Sequence, residues 1–526
     1  MKLSRDVLVP LVTAVLGLGV AFAPAASNGL LDRGAQPAAA ATGLGAQLDR
    51  ILADPRLSGA QVGLEVRDAK TGDVLYDHDA GERLLPASNA KLATSTAAMR
   101  ILGPDHRFTT SVLSSGGNLY LRGTGDPTML GTDYDALAKS VADSGVQVVR
   151  GRLVADDTYF DDVRLAPFWA WDDEPYYYDG QVSALSVAPD TDYDAGSVIV
   201  NIAPGAKAGD PAKVTMTPPN HYVHIVNRAT TGTSGSSDTS DAVRRHGENV
   251  VDVTGSIPAG SGADEVWATV WDPTGLVASL FTDALRRHGV RVLGGEARGA
   301  TPAGARTVAS HQSMTLGQML TPFLKLSNNM HAEHLAKTMG RAVSGEGTWD
   351  AGTAAITDEM KKLGLDTSQV RMVDGSGLSR ADLISPEQIT DLLLAVQDEP
   401  WFQTWYDALP IAGNPDRMTG GTLRNRMRGT PAANNMHAKT GSMTSVSALS
   451  GYVTAASGEK LVFSMISNDF LSSSMTSVED QVGVTLASYN GSGATTDLAR
   501  APAARQETNA MQRRHPSVEC SWTKSC

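Results

Sequence analysis

Ser88 and Lys91 stand three positions apart in Leu85-Pro86-Ala87-Ser88-Asn89-Ala90-Lys91-Leu92, at the head of an Ala-, Leu- and Met-rich run with no further Gly or Pro before Gly103. That composition predicts a helix starting near Ser88, and positions i and i+3 of a helix share a face. A serine hydroxyl is a poor nucleophile until a base takes its proton, and a desolvated lysine near another cation can be that base. A helix first turn adds an N–H and a positive dipole end for a developing oxyanion. The chemistry this pair suggests is acyl transfer through serine.

Ser-x-x-Lys alone is weak, since it occurs three times: Ser88 to Lys91, Ser457 to Lys460 and Ser521 to Lys524. The second reads as a hairpin turn between two strand-like runs, and the third lies in a polar tail beside Cys520 and Cys526. Two further motifs join the first: Ser327-Asn328-Asn329 at the mouth of a helix, and Lys439-Thr440-Gly441 where a strand should begin. Lys70-Thr71-Gly72 repeats the last motif in a turn upstream of Ser88, and Ser488-Tyr489-Asn490 repeats the second near the tail. Only one assignment gives the order helix, helix mouth, strand.

With these three motifs, residues 45 to about 490 resemble a penicillin-binding D-Ala-D-Ala carboxypeptidase/endopeptidase of low molecular mass, class C, of the actinomycete type. The interval of 327 − 91 = 236 residues between the first two motifs is similar to that of class C, which carries extra domains there. Gly123-Thr124-Gly125-Asp126-Pro127-Thr128, Asp156-Asp157-Thr158-Tyr159-Phe160 and Asp374-Gly375-Ser376-Gly377-Leu378-Ser379-Arg380 also look like the family; Asn328 departs from the Asp often found there. The resemblance implies Ser88 as nucleophile, Lys91 as proton acceptor, Ser327 as relay, Asn329 as substrate-amide holder and Lys439 as the cation keeping Lys91 deprotonated. Thr440 would bind the terminal carboxylate, beside Gly441, and the amides of Ser88 and Ser442 would form the oxyanion hole. The implied substrates are peptidoglycan stem peptides ending in D-Ala-D-Ala, with β-lactams as covalent inhibitors and no cofactor. Hydrolysis and transpeptidation both stay open. The alternatives are a β-lactamase, for which no Glu-containing loop supplies a deacylating base, or a non-catalytic β-lactam- or wall-binding protein.

The implied fold is α+β, a β-lactamase/transpeptidase-like antiparallel sheet flanked by helices, with two inserted mostly-β subdomains. The divisions are 1–41 as signal and processed segment, 42–107 and 306–492 as the penicillin-binding domain, 108–305 as the insert and 493–526 as a flexible tail. Within the insert, one helix is expected at 274–288; in the second half, helices at 316–325, 357–363 and 386–397, and runs 446–453 and 461–466 as a pair at the sheet edge.

Lys2 and Arg5 before the apolar run 7–23 read as a secretory signal peptide, with cleavage near Ala25 or Ala41; a retained anchor helix is the other reading. The mature protein is then expected outside the cell, wall-associated, with no stable membrane anchor. A net charge of −13 argues against nucleic acid and anionic lipid. Both cysteines lie in the last seven residues, so no disulfide framework or zinc site holds the core. His331, Glu333 and His334 match no metalloprotease spacing, so no metal is expected. The run Trp169-Ala170-Trp171-Asp172-Asp173-Glu174-Pro175-Tyr176-Tyr177-Tyr178 is either a satisfied loop or a substrate wall. If the stem side chain ends in a free diamino-acid zwitterion, Asp172, Asp173 or Glu174 would meet its ammonium, the Trp and Tyr residues of the run, Tyr177 among them, its methylenes, and Met443 would supply an apolar contact from the strand side.

Overall fold

The computed structural model describes residues 43–491 and Lys524. The expected signal peptide, the tail apart from Lys524, and the cysteine pair lie outside the described residues. Among the described residues no helix is long and apolar enough to cross a membrane.

Five antiparallel strands form the central sheet, in the order His437–Met443, Val446–Thr454, Lys460–Asn468, Gln61–Asp68, Val74–His78. The N-terminal hairpin thus completes a sheet begun by the C-terminal strands. The pair expected at the edge forms, in antiparallel register, but it is interior. The edges are His437–Met443 on that side and Val74–His78 on the other. The reason is visible in burial: Val446–Thr454 is buried at every position but the last, so both faces are covered. Ala448, Tyr452, Val462 and Ile466 pack into one cluster with the helices Ala90–Ile101 and Pro386–Ala395. Leu449, Val453, Leu461 and Phe463 pack on the other side with Gly43–Leu52 and Thr476–Ser488. The last helix went unread, although Val478, Val482 and Leu486 carry its spacing.

Between the halves, Thr109–Ser115 and Arg306–Gln312 pair antiparallel, so the chain leaves and re-enters the helical layer by neighbouring strands. They belong to a sheet ordered Glu296–Arg298, Leu153–Asp156, Asn118–Arg122, Thr109–Ser115, Arg306–Gln312. Two helices accompany it where one was expected. Pro273–Arg287 packs on Gly131–Asp143, whose Tyr134, Leu137, Ala138 and Val141 face inward.

The helix Asn329–Ser344 packs along Trp349–Lys362 and carries Glu333, fully buried, into a nest of donors. Its carboxyl accepts from the amides of Gly375 (3.0 Å) and Ser376 (2.8 Å) and from Trp349 Nε1 (2.7 Å). Burial, with Asp374 nearby, pushes its pKa up to about 7. Burial holds His331 and His334 down, at about 3 and 4. The signs oppose. Glu333 adds stability that is full below its unfolded value and fades as pH rises toward 7; the histidines add stability as pH rises toward 6.5. Glu333→Gln keeps the shape and removes the titration, and the acceptor oxygen it exchanges for an NH2 costs the same at every pH. Urea unfolding between pH 5 and 8 is therefore expected to show the stability gap between the wild type and Glu333→Gln shrinking with pH, by up to about 3 kcal/mol. Parallel profiles would show that Glu333 does not titrate in this range.

Candidate active site

Ser88 lies in the single turn Ala87–Asn89 that leads into the helix Ala90–Ile101. Ten consecutive residues of that helix, Ala90 to Met99, are buried, which explains its small side chains: it is packed on all sides. Ala87 takes a positive φ of 45°, a conformation that needs support. Two glycines supply it by close approach. A Cβ on Gly377 would sit 1.9 Å from the Ala87 carbonyl oxygen, and one on Gly441 would sit 2.9 Å from the Pro86 oxygen and 3.0 Å from the Ser88 amide nitrogen.

The Lys91 amine, wholly buried, lies 2.8 Å from Ser88 Oγ, 2.7 Å from Asn329 Oδ1 and 2.8 Å from the Ser376 carbonyl oxygen. Asn329 Nδ2 donates to the Tyr178 carbonyl (2.8 Å), which fixes the side-chain amide so that its oxygen faces Lys91. The Ser376 carbonyl belongs to a turn tied by carboxylates: Glu333 holds its amides, and Asp374 accepts from Gly377 N (2.7 Å), Ser379 N (2.7 Å) and Trp169 Nε1 (2.8 Å).

Ser327, at a positive φ of 57°, follows the helix Leu316–Lys325, and Asn328 caps the next helix by accepting from His331 N (3.1 Å). Asn328 Nδ2 reaches the carbonyls of Asp192 and Tyr193 and Asp194 Oδ1, at 3.0–3.1 Å. An aspartate here would set a charge against three acceptors, so the departure at Asn328 has a local reason. Lys439, on the edge strand, donates to Ser327 Oγ (2.7 Å) and to the Thr440 carbonyl (2.7 Å). Thr440 Oγ1 donates to Thr422 Oγ1 (2.8 Å).

All three motifs therefore converge: Ser88, Lys91 and Asn329 in one network, Ser327 and Lys439 in another, with Gly441 against the serine's backbone. Ser442 is half-buried beside it. Tyr177 and Met443 share a buried cluster with Ala87, Tyr178, Leu378 and Val446, and Tyr177 also lines a cavity with Asn329. Asp172 is exposed, whereas its neighbour Asp173 accepts from the Tyr178 hydroxyl (2.8 Å). Lys70 and Ser457 sit on exposed hairpin turns. His334 spans the carbonyls of Met330 (2.7 Å) and Ser183 (3.1 Å) while Glu333 points at the 374–379 turn, so these two spend their polar atoms in different directions. His437 stacks on Tyr406 with ring centres 4.1 Å apart. Thr422 was not singled out from sequence, Glu333 was weighed only as a metal ligand, and Ser376 and Tyr178 appeared only within the runs 374–380 and 169–178. The last two contribute only a backbone carbonyl, which leaves no residue-type signal.

The D-Ala-D-Ala carboxypeptidase 3 (S13) family profile matches residues 44–489. A D-alanyl-D-alanine carboxypeptidase of Actinomadura sp. (strain R39) is 43% identical over 496 residues, covering 92% of this chain and 90% of that protein. Among solved structures, penicillin binding protein 4 of Haemophilus influenzae superposes with a TM-score of 0.72 at 23% identity, over 84% of this chain and 99% of that one. A second structure of that protein, complexed with a β-lactam, gives a TM-score of 0.67 at 22% identity, over 84% and 100%. The structural likeness carries the fold, and the sequence match carries the conclusion: this chain belongs to the D-Ala-D-Ala carboxypeptidase 3 (S13) family.

Proposed function

We propose that the protein is a serine D-alanyl-D-alanine carboxypeptidase that acts on peptidoglycan stem peptides through an acyl-enzyme on Ser88, and that penicillins acylate the same serine. The family match and the Actinomadura relative support the activity. The surroundings of the Lys91 amine support the assignment of residues. Of its three neighbours, Asn329 Oδ1 and the Ser376 carbonyl can only accept, while Ser88 Oγ–H can donate. A neutral amine has two N–H groups and one lone pair. That inventory fits two acceptors and one donor, leaving the lone pair for the serine proton.

In this reading Ser88 Oγ attacks the carbonyl of the penultimate D-Ala as its proton passes to Lys91. The amides of Ser88 and Ser442 receive the oxyanion, Ser442 because the edge strand runs against the serine's turn. Ser327, hydrogen-bonded to Lys439, relays a proton to the departing D-Ala nitrogen, and the C–N bond breaks. Lys439 and Thr440 hold the terminal carboxylate. Water, or an amine acceptor, then takes the acyl group and restores Ser88. The charged head and apolar run at residues 1–23 support an enzyme exported to the wall.

Fluorescent penicillin is expected to label the wild type and not Ser88→Ala, with circular dichroism unchanged. Label that persists in Ser88→Ala would remove the nucleophile assignment. Release of D-Ala from a diacetyl-Lys-D-Ala-D-Ala peptide separates the carboxypeptidase from a β-lactamase or a binding protein.

Lys91→Arg keeps a cation but offers no base at neutral pH, so acylation should fall at least ~100-fold. Lys70→Ala, in the upstream turn, should change it little. Equal losses would overturn the motif assignment.

Asp172, exposed at the start of the aromatic run, is proposed to meet a free stem ammonium. Asp172→Ala should weaken turnover of peptides bearing that amine by roughly 1–3 kcal/mol and leave penicillin acylation unchanged. An equal loss on both substrates would assign the run to the fold instead.

A further inference from the structure

The lysine of the third Ser-x-x-Lys, set aside as tail, sits inside the protein. Lys524 Nζ donates to Asp194 Oδ2 (2.6 Å) and Asp192 Oδ2 (3.0 Å), with its side chain 12% exposed. The ammonium also lies 4.5 Å from the ring centre of Tyr177 and 4.7 Å from that of Trp267. Two carboxylates and two aromatic faces around one nitrogen make a site for an alkylammonium.

The charges make the same point. Asp190, Asp192 and Asp194 bring their oxygens within 4.8 Å of one another. Arg417 already holds Asp192 through two hydrogen bonds, at 2.5 and 2.6 Å. Asp194, 6% exposed, otherwise receives the Asn328 amide (3.1 Å). Arg417 and Lys524 together balance Asp192 and Asp194. Burial beside Asp192 and Asp190 pushes Asp194 up to about 7 even with Lys524 lowering it, so Lys524 is the cation that favours the charged form of Asp194 there. Burial alone would lower the Lys524 pKa, yet Asp194 and Asp192 raise it above the ordinary lysine value.

The site also borders the catalytic residues. Asp194, Tyr177, Asn328, Asn329, Arg417 and Lys524 line one cavity, and Asn329 is the residue bonded to Lys91. We infer that Asp192, Asp194, Tyr177 and Trp267 form an alkylammonium-binding site beside the catalytic centre, and that Lys524 is its in-chain occupant, competing with any cationic ligand that enters the cavity. That the competition touches substrate rests on the reading of Ser88 as the nucleophile; the occupancy itself does not.

A binding measurement tests it without chemistry. Nα-acetyl-L-lysine amide is titrated calorimetrically into the full chain, Lys524→Gln and Lys524→Arg, with Nα-acetyl-L-norleucine amide as the uncharged control. A tethered competitor acts at a high effective concentration, so Lys524→Gln should bind the lysine probe about tenfold more tightly or better, while Lys524→Arg behaves as the full chain. The norleucine probe should bind none of them appreciably. Equal affinity in the full chain and Lys524→Gln, no binding in Lys524→Gln, or equal binding of the norleucine probe overturns the inference. Because the readout needs no turnover, its failure alongside normal D-Ala release leaves the carboxypeptidase reading standing.

Discussion

Removing the Lys91 amine from water constrains everything around it. A lysine in water is a strongly hydrated cation, and burial penalises that charged form. The amine must then find fixed hydrogen-bonding partners in place of water. It has three, Asn329 Oδ1, the Ser376 carbonyl and Ser88 Oγ, and none carries a full charge. Each partner comes from a different part of the chain, so the site exists only when three packed elements agree in position. Displacing any one by an ångström would cost more in alignment than in contact energy.

That agreement is built into the order of the chain. The N-terminal hairpin lies beside Lys460–Asn468, so Ser88, emerging after the hairpin, reaches the edge strand that carries Lys439. Gly377 and Gly441 let two backbones press on the turn Ala87–Asn89 where any side chain would collide. The long middle segment leaves through Thr109–Ser115 and returns through Arg306–Gln312, paired neighbours, and so inserts without parting the elements that hold the site.

Much of this was legible in the sequence, and the limits have physical causes. Ser88, Lys91, Ser327, Asn329 and Lys439 are readable because their side chains meet one another, and such pairings restrict residue type. Ser376 and Tyr178 act through carbonyls that every residue has, so nothing in their identity marked them. The sheet pair was legible from its runs, but its interior position was not. Strands covered on both faces lose alternation, and the covering helix Thr476–Ser488 lies beyond them in sequence. Gly131–Asp143 hid behind a glycine start and a mixture of Ala, Ser and Asp. Lys524 is the opposite case: a polar stretch predicts exposure, and only the fold reveals two carboxylates waiting for it.

The buried acids behind the turn 374–379 need an electrostatic account, because full carboxylates there would favour Lys91 as an ammonium, whereas its proposed role as a base needs the neutral amine. Burial raises Asp179 and Asp382 well above the usual carboxylate range and lifts Glu333 to about 7. These groups therefore hold protons at pH values where exposed carboxyls do not, which withholds negative charge from the amine's surroundings. Asp374 accepts three N–H donors, and its interaction goes into shaping the turn. The same acidic cluster thus aims a carbonyl at Lys91 through hydrogen bonds while limiting the charge it presents. Geometry is supplied by the carboxyl oxygens and the potential is set by their protons, and the proposed role of Lys91 as a base rests on both.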